Sequence, residues 1–144
     1  MDELTLRVIL DELAPVLGGA VVRGAFRASP RAVVLELTGG AGRQGTLTIA
    51  PYDRGSIFFR EGRVGGRPGR IRTSLEGASV SGVGQWGDDR LAFVDCASPD
   101  GERRLVAEFF GRAGGLFVLE DGVISARLAG RPVDAGEPYA WPPV

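Results

Sequence analysis

Leu6, Ile9, Leu10, Leu13 and Leu17 recur at three- and four-residue steps, which predicts an amphipathic helix over residues 2–17. Asp2 and Glu3 suit the positive end of such a helix, and Gly18-Gly19 is a ready stop. Pro15 falls in the last turn, where it is expected to fray or kink the helix. Beyond Gly19 the period changes to short apolar runs broken by Gly and Pro. Strands are predicted at Ala20–Arg27, Ala32–Thr38, Gly45–Ala50 and Ser56–Arg60, with turns at Ala28–Arg31 and Gly39–Gly42. Gly62–Gly69 reads as a loop, and Arg70–Glu76 as a second short helix ending at Gly77. Further strands are predicted at Ala78–Trp86, Asp89–Cys96, Arg103–Phe110, Leu116–Glu120 and Val123–Arg127, the last two joined by the hairpin turn Asp121-Gly122. The pattern predicts an α+β domain: an antiparallel β-sandwich with an N-terminal helix and a second short helix. Residues 1–129 form the domain. Residues 130–144, with four Pro and no periodicity, read as an extended strap or linker.

Composition narrows the chemistry. The 144 residues are 44% apolar, enough for one core without disulfide or metal staples. There is no His, and all 17 basic residues are Arg, balanced by 18 acids. That removes a His-based triad, a His-ligated metal, a Walker lysine and a Schiff-base lysine. A net charge of −1 argues against indiscriminate binding to phosphate backbones. Cys96 stands alone, so no intrachain disulfide or CxxC site exists, and no cofactor is expected. No apolar run reaches the roughly 20 residues of a membrane helix, and the acidic start differs from a signal peptide. These features predict a cytoplasmic, non-catalytic protein with no membrane association; they leave the oligomeric state open.

Gly82-Val83-Gly84-Gln85-Trp86-Gly87 has G-x-G-x-x-G spacing, but the next segment is a predicted strand, so no helix terminus faces a pyrophosphate. Asp89 and Arg90 read either as a turn residue and a solvated strand residue, or as a presented pair on a central strand. Glu108 lies in an otherwise apolar run, and a buried carboxylate needs a partner. A hairpin closing symmetrically about Pro99 would pair Cys96 with Glu102 and set Arg90 opposite Glu108 on one face. A cross-strand Arg90–Glu108 pair is therefore expected, either structural or functional. Gly111-Arg112-Ala113-Gly114-Gly115 could offer backbone N–H groups and a guanidinium to an anion, or be a plain turn. Arg63, Arg67, Arg70 and Arg72 read as a solvated run or a local anion patch. Trp86 and Trp141 read as core or strap anchors.

Several motifs occur in an order that resembles the N-terminal domain of the NFACT family, which includes the ribosome quality-control proteins RqcH and NEMF and fibronectin-binding protein A. Gln85-Trp86-Gly87-Asp88-Asp89-Arg90 matches the family's Gln-x-Gly-x-Asp-Arg. Ile71-Arg72-Thr73-Ser74-Leu75-Glu76-Gly77-Ala78 matches the segment before it, and Glu108-Phe109-Phe110-Gly111-Arg112 the Glu-x-x-Gly-Arg after it. The opening helix and the closing 136–143 segment also fit. Ala113-Gly114-Gly115 departs from the family's His-Ser-Asn, and Arg67-Pro68-Gly69 shortens its Pro-Pro-Phe. The resemblance implies a fold similar to the N-terminal domain of formamidopyrimidine-DNA glycosylases. It also implies a non-catalytic RNA-binding role: helping recruit tRNA to a stalled large ribosomal subunit that carries a nascent chain. Asp89, Arg90, Glu108, Gly111 and Arg112 are the implied nucleic-acid-binding residues. The alternatives are an adhesin-like protein-interaction module and, less favoured by the Met1-Asp2 start, a DNA glycosylase-like enzyme.

Overall fold

The computed structural model describes residues 1–40, 43–52 and 54–143. Helix α1 spans Glu3–Leu17. The Asp2 carboxylate caps it by accepting the Thr5 N–H at 2.7 Å, which also lowers the Asp2 pKa. Leu6, Leu10, Leu13 and Leu17 are buried in the main core, as the periodicity predicts. Pro15 stays within the helix and does not end it.

Among the described residues ten strands follow: β1 (Ala20–Ser29), β2 (Ala32–Gly39), β3 (Gly45–Ala50), β4 (Ser56–Glu61), β5 (Arg70–Ile71), β6 (Ser79–Gln85), β7 (Leu91–Ser98), β8 (Gly101–Glu108), β9 (Gly115–Glu120) and β10 (Val123–Gly130). All pairings are antiparallel, and the sheet runs β10-β9-β8-β7-β6-β1-β2-β3-β4. The fold is α+β. The expected two-layer sandwich is here one hydrogen-bonded sheet, joined where β1 meets β6 (Val21 opposite Ser79). Its two halves share one core, with Leu35, Leu47 and Ile49 from β2–β3 packed with Val94, Leu105 and Val118 from β7–β9. Across the halves, the Arg27 guanidinium donates to the Leu128 carbonyl at 2.7 Å.

The second helix does not form. Arg70–Ile71 instead pairs with Ala25–Phe26 on the edge of β1, and residues 74–77 make a turn. Seven residues between two left-handed glycines, Gly69 (φ 82°) and Gly77 (φ 86°), are too few to sustain a helix when a strand edge offers backbone partners. Leu75 still reaches the core from the turn. The Asp121-Gly122 hairpin forms as predicted, both residues having positive φ. In the turn predicted at Gly39–Gly42, Gly39 and Gly40 adopt positive φ, and Ala41 and Gly42 lie outside the described residues. No helix among the described residues is long and apolar enough to cross a membrane.

Strand β7 is interior, as the apolarity of both its faces predicts. Ala92, Val94 and Cys96 enter the main core, and Leu91 enters a second cluster on the opposite face with Val106, Phe117, Leu119, Ile124 and Tyr139. Residues 131–143 cover that second face. The strap is anchored at β10, where Val123 bridges Pro138 and the Ile124 N–H donates to the Glu137 carbonyl at 2.8 Å.

Candidate functional site

The β7–β8 turn fixes what Arg90 and Glu108 can do. Ser98 pairs with Gly101, leaving Pro99-Asp100 as a two-residue loop, so Cys96 pairs with Arg103 and Leu91 with Glu108. This is one residue away from the symmetric closure about Pro99. It places the Glu108 side chain on the face of Leu91, and the expected Arg90–Glu108 side-chain pair does not form. Arg90 is exposed.

Glu108 is 2% exposed and takes its partners from the strap. Its carboxylate accepts from the Arg131 guanidinium on one oxygen and from the Tyr139 hydroxyl on the other. Burial and then the Glu108 hydrogen bond raise the Tyr139 pKa, so the phenol remains a donor. For Arg131, partial burial acts to lower the pKa, but the hydrogen bond and charge of Glu108 outweigh it and the net shift is upward. Arg131 also lies 4.9 Å from the Phe117 ring centroid. Sequence reasoning missed both partners. The acid inside an apolar run signals that a partner is needed, but nothing in the aperiodic tail singles out Arg131 and Tyr139 as that partner.

The same strap reaches the Gln85–Arg90 loop. Tyr139 meets Trp141 edge-on at 4.7 Å, and Trp141 stacks on Trp86 at 4.3 Å. The Trp86 indole N–H donates to the Pro142 carbonyl at 3.0 Å. Both tryptophans are therefore strap anchors. Arg104, chelated by Asp95 at 2.6 and 3.0 Å, lies over Phe93 at 4.3 Å and 5.6 Å from Trp141.

The loop itself is braced from inside. The Gln85 side-chain amide donates to the Asp89 carbonyl at 2.7 Å and to the Glu3 carbonyl at 3.1 Å. Arg7 of α1 donates to the Gly87 carbonyl and the Asp88 carboxylate. The Asp89 carboxylate accepts the Arg90 N–H at 2.7 Å, and the Arg90 side chain is exposed. The two motifs are adjacent through the backbone: the Phe109 N–H donates to the Arg90 carbonyl at 2.8 Å. Gly111 (φ 67°) then opens a 3-10 turn, Gly111–Ala113, that leaves Arg112 exposed. Thus Asp89, Arg90, Gly111 and Arg112 gather on loops at one end of the sheet, while Glu108 lies beneath them as the anchor of the strap.

The glycines of the departing Ala113-Gly114-Gly115 segment are sterically required. A Cβ on Gly114 would fall 2.1 Å from the Glu108 carbonyl oxygen, and one on Gly115 2.4 Å from the Phe117 ring. The Gly82–Gly87 spacing lies on β6 and the turn after it, with no helix following. Beside the loop, Trp86, Gly87, Asp88, Asp89 and Pro143 line a shallow cavity of about 400 Å³.

No protein-family model matches the sequence, and no curated protein matches it. Solved structures do. The N-terminal domain of fibronectin-binding protein PavA from Streptococcus pneumoniae superposes with a TM-score of 0.83 at 16% identity, covering 99% of this chain. The N-terminal part of the fibronectin/fibrinogen-binding protein FBPS from Streptococcus suis gives 0.83 at 16% identity over the full chain. The fibrinogen-binding protein from Staphylococcus aureus gives 0.75 at 16% identity over 99%. This chain spans 62%, 62% and 56% of those three chains, respectively. The fold is therefore similar to that of the N-terminal domains of fibronectin-binding proteins.

Proposed function

We propose that the chain is a non-catalytic, RNA-facing module that helps hold tRNA on a stalled large ribosomal subunit bearing a nascent chain. The resemblance to the NFACT family supplies the partner. Support comes from the adjacency of its two motifs, joined by the hydrogen bond from the Phe109 N–H to the Arg90 carbonyl. That adjacency presents Arg90 and Arg112 from neighbouring loops, each exposed and suited to phosphate oxygens. The module acts in the cytoplasm, without cofactor or metal, and the ribosome performs any peptide transfer.

The test is tRNA affinity against salt for the wild type and for Arg90→Ala and Arg112→Ala. Each substitution is expected to weaken binding and to reduce the slope of log K against log salt by about 1. Unchanged tRNA binding by folded variants overturns the reading. The structural neighbours bind fibronectin or fibrinogen, which favours a second reading, a surface for a fibronectin- or fibrinogen-like protein. Binding of such a protein, lost on Arg90→Ala, would support it. Excision of a damaged base from duplex DNA would support the glycosylase-like alternative.

A further inference from the structure

Five of the 17 arginines fall between positions 60 and 72, where Glu61 is the single acid, in a chain of net charge −1. The fold assembles them beside an open aromatic. On the outer face of the first half-sheet, antiparallel register aligns Gly24, Glu36, Thr46 and Arg60 in one row. Phe26, Val34, Thr48 and Phe58 form the next row.

The 62–69 loop crosses this face. Its Gly65 N–H donates to the buried Glu36 carboxylate, and its Gly69 carbonyl accepts the Arg27 N–H at 2.8 Å. Phe26, Val34 and Glu36 are buried, Glu36 beneath the loop that donates to it. Thr46, Thr48, Phe58 and Arg60 remain as a ledge, with Phe58 42% exposed and the Arg60 guanidinium 5.9 Å from its ring centroid. Arg63 and Arg67 stand exposed on the anchored loop, and Arg72 just beyond it. Arg70 is paired with Glu76.

We propose that this ledge binds a single-stranded stretch of RNA, with a base stacked on Phe58 and phosphates taken by Arg60, Arg63 and Arg67. Charge complementarity selects a polyanion, because positive charge is concentrated here in an otherwise acidic molecule. The open aromatic ring selects a strand whose bases are unpaired, since every base has a face to stack. Thr46 and Thr48 lie in the same two rows and offer hydroxyls to sugar or phosphate. The proposal extends the RNA-facing reading to a second surface and rests on that reading for the class of ligand, but not on Arg90.

The experiment is anisotropy of a labelled ten-nucleotide oligo(U) over a salt series, with circular dichroism confirming that each variant is folded. Phe58→Ala is expected to weaken binding by about tenfold or more. The double variant Arg63→Ala/Arg67→Ala is expected to flatten the salt slope by about 1.4. Wild-type oligo(U) binding by both variants overturns the proposal. So does a polyglutamate peptide of equal length that binds as tightly and is equally sensitive to Phe58→Ala, which would identify an acidic-peptide surface. Measuring tRNA affinity for Arg90→Ala in parallel separates the two readings. Loss there with wild-type oligo(U) binding by Phe58→Ala removes this ledge alone, and the reverse pattern removes the Arg90 site alone.

Discussion

Glu108 is a carboxylate that the sheet buries and the strap satisfies. Replacing it with Ala would leave the Tyr139 hydroxyl without its acceptor and Arg131 without its anion. Because Arg131 is 36% exposed and water can recover part of its solvation, the expected loss is about 2–3 kcal/mol, the low end for a broken buried pair. Tyr139→Phe removes one charge-assisted bond and is expected to cost about 1–2 kcal/mol; urea denaturation measures both. Cys96 sets an alkaline limit. Burial, followed by the charge of Asp95, raises its pKa from 9.0 to about 12, so the folded chain binds that proton more tightly than the unfolded chain. The associated stability is complete below pH 9 and is lost as pH rises towards 12. Tyr139 shifts in the same direction from 10.0. Urea midpoints are expected to decline across that window, and less steeply in Cys96→Ala. In the native protein at neutral pH the thiol should not react with a disulfide reagent; rapid labelling would contradict its burial at 1% exposure.

At the level of elements, the strap is a self-ligand for the second face of the sheet, and it can be observed directly. Trp86 and Trp141 are the chain's two tryptophans, stacked at 4.3 Å, so their coupled circular-dichroism band reports strap docking. Trp141→Ala should abolish that band with little loss of far-ultraviolet signal, and Glu108→Ala should weaken it. Most elements were legible because their signals are local. Leucine spacing defined α1, alternation defined the strands, and Asp121-Gly122 defined the last hairpin. The second helix failed because the free edge of β1 claimed Arg70–Ile71, a non-local competitor that no window of sequence shows. The Arg90–Glu108 pair failed by one residue of register. Ser98-Pro99-Asp100-Gly101 closes as a four-residue turn with Pro in its second position and Gly in its fourth, so the axis falls between Pro99 and Asp100. The strap partners of Glu108 were illegible because an aperiodic, Pro-rich tail carries no pattern from which to read a docking register.

At the level of the whole molecule, α1 and both half-sheets insert into one core, so the chain is expected to unfold as a single unit. Far-ultraviolet circular dichroism, dominated by helix and sheet, and tryptophan fluorescence, which reports the strap, should then give the same urea midpoint. Separate midpoints would show that the strap detaches first. The continuous path of strands has two margins with different fates. At β10 the strap lies alongside, Pro138 bridging Val123, so that border is closed by the chain itself. At the other margin, β3 is the single strand partner of β4 among the described residues, and six consecutive residue pairs run there without a bulge or a proline. Self-association by strand addition, whether exchange between copies or fibre growth under destabilising conditions, would therefore start at Ser56–Glu61, with Arg60 and Glu61 as the charged gatekeepers that oppose it.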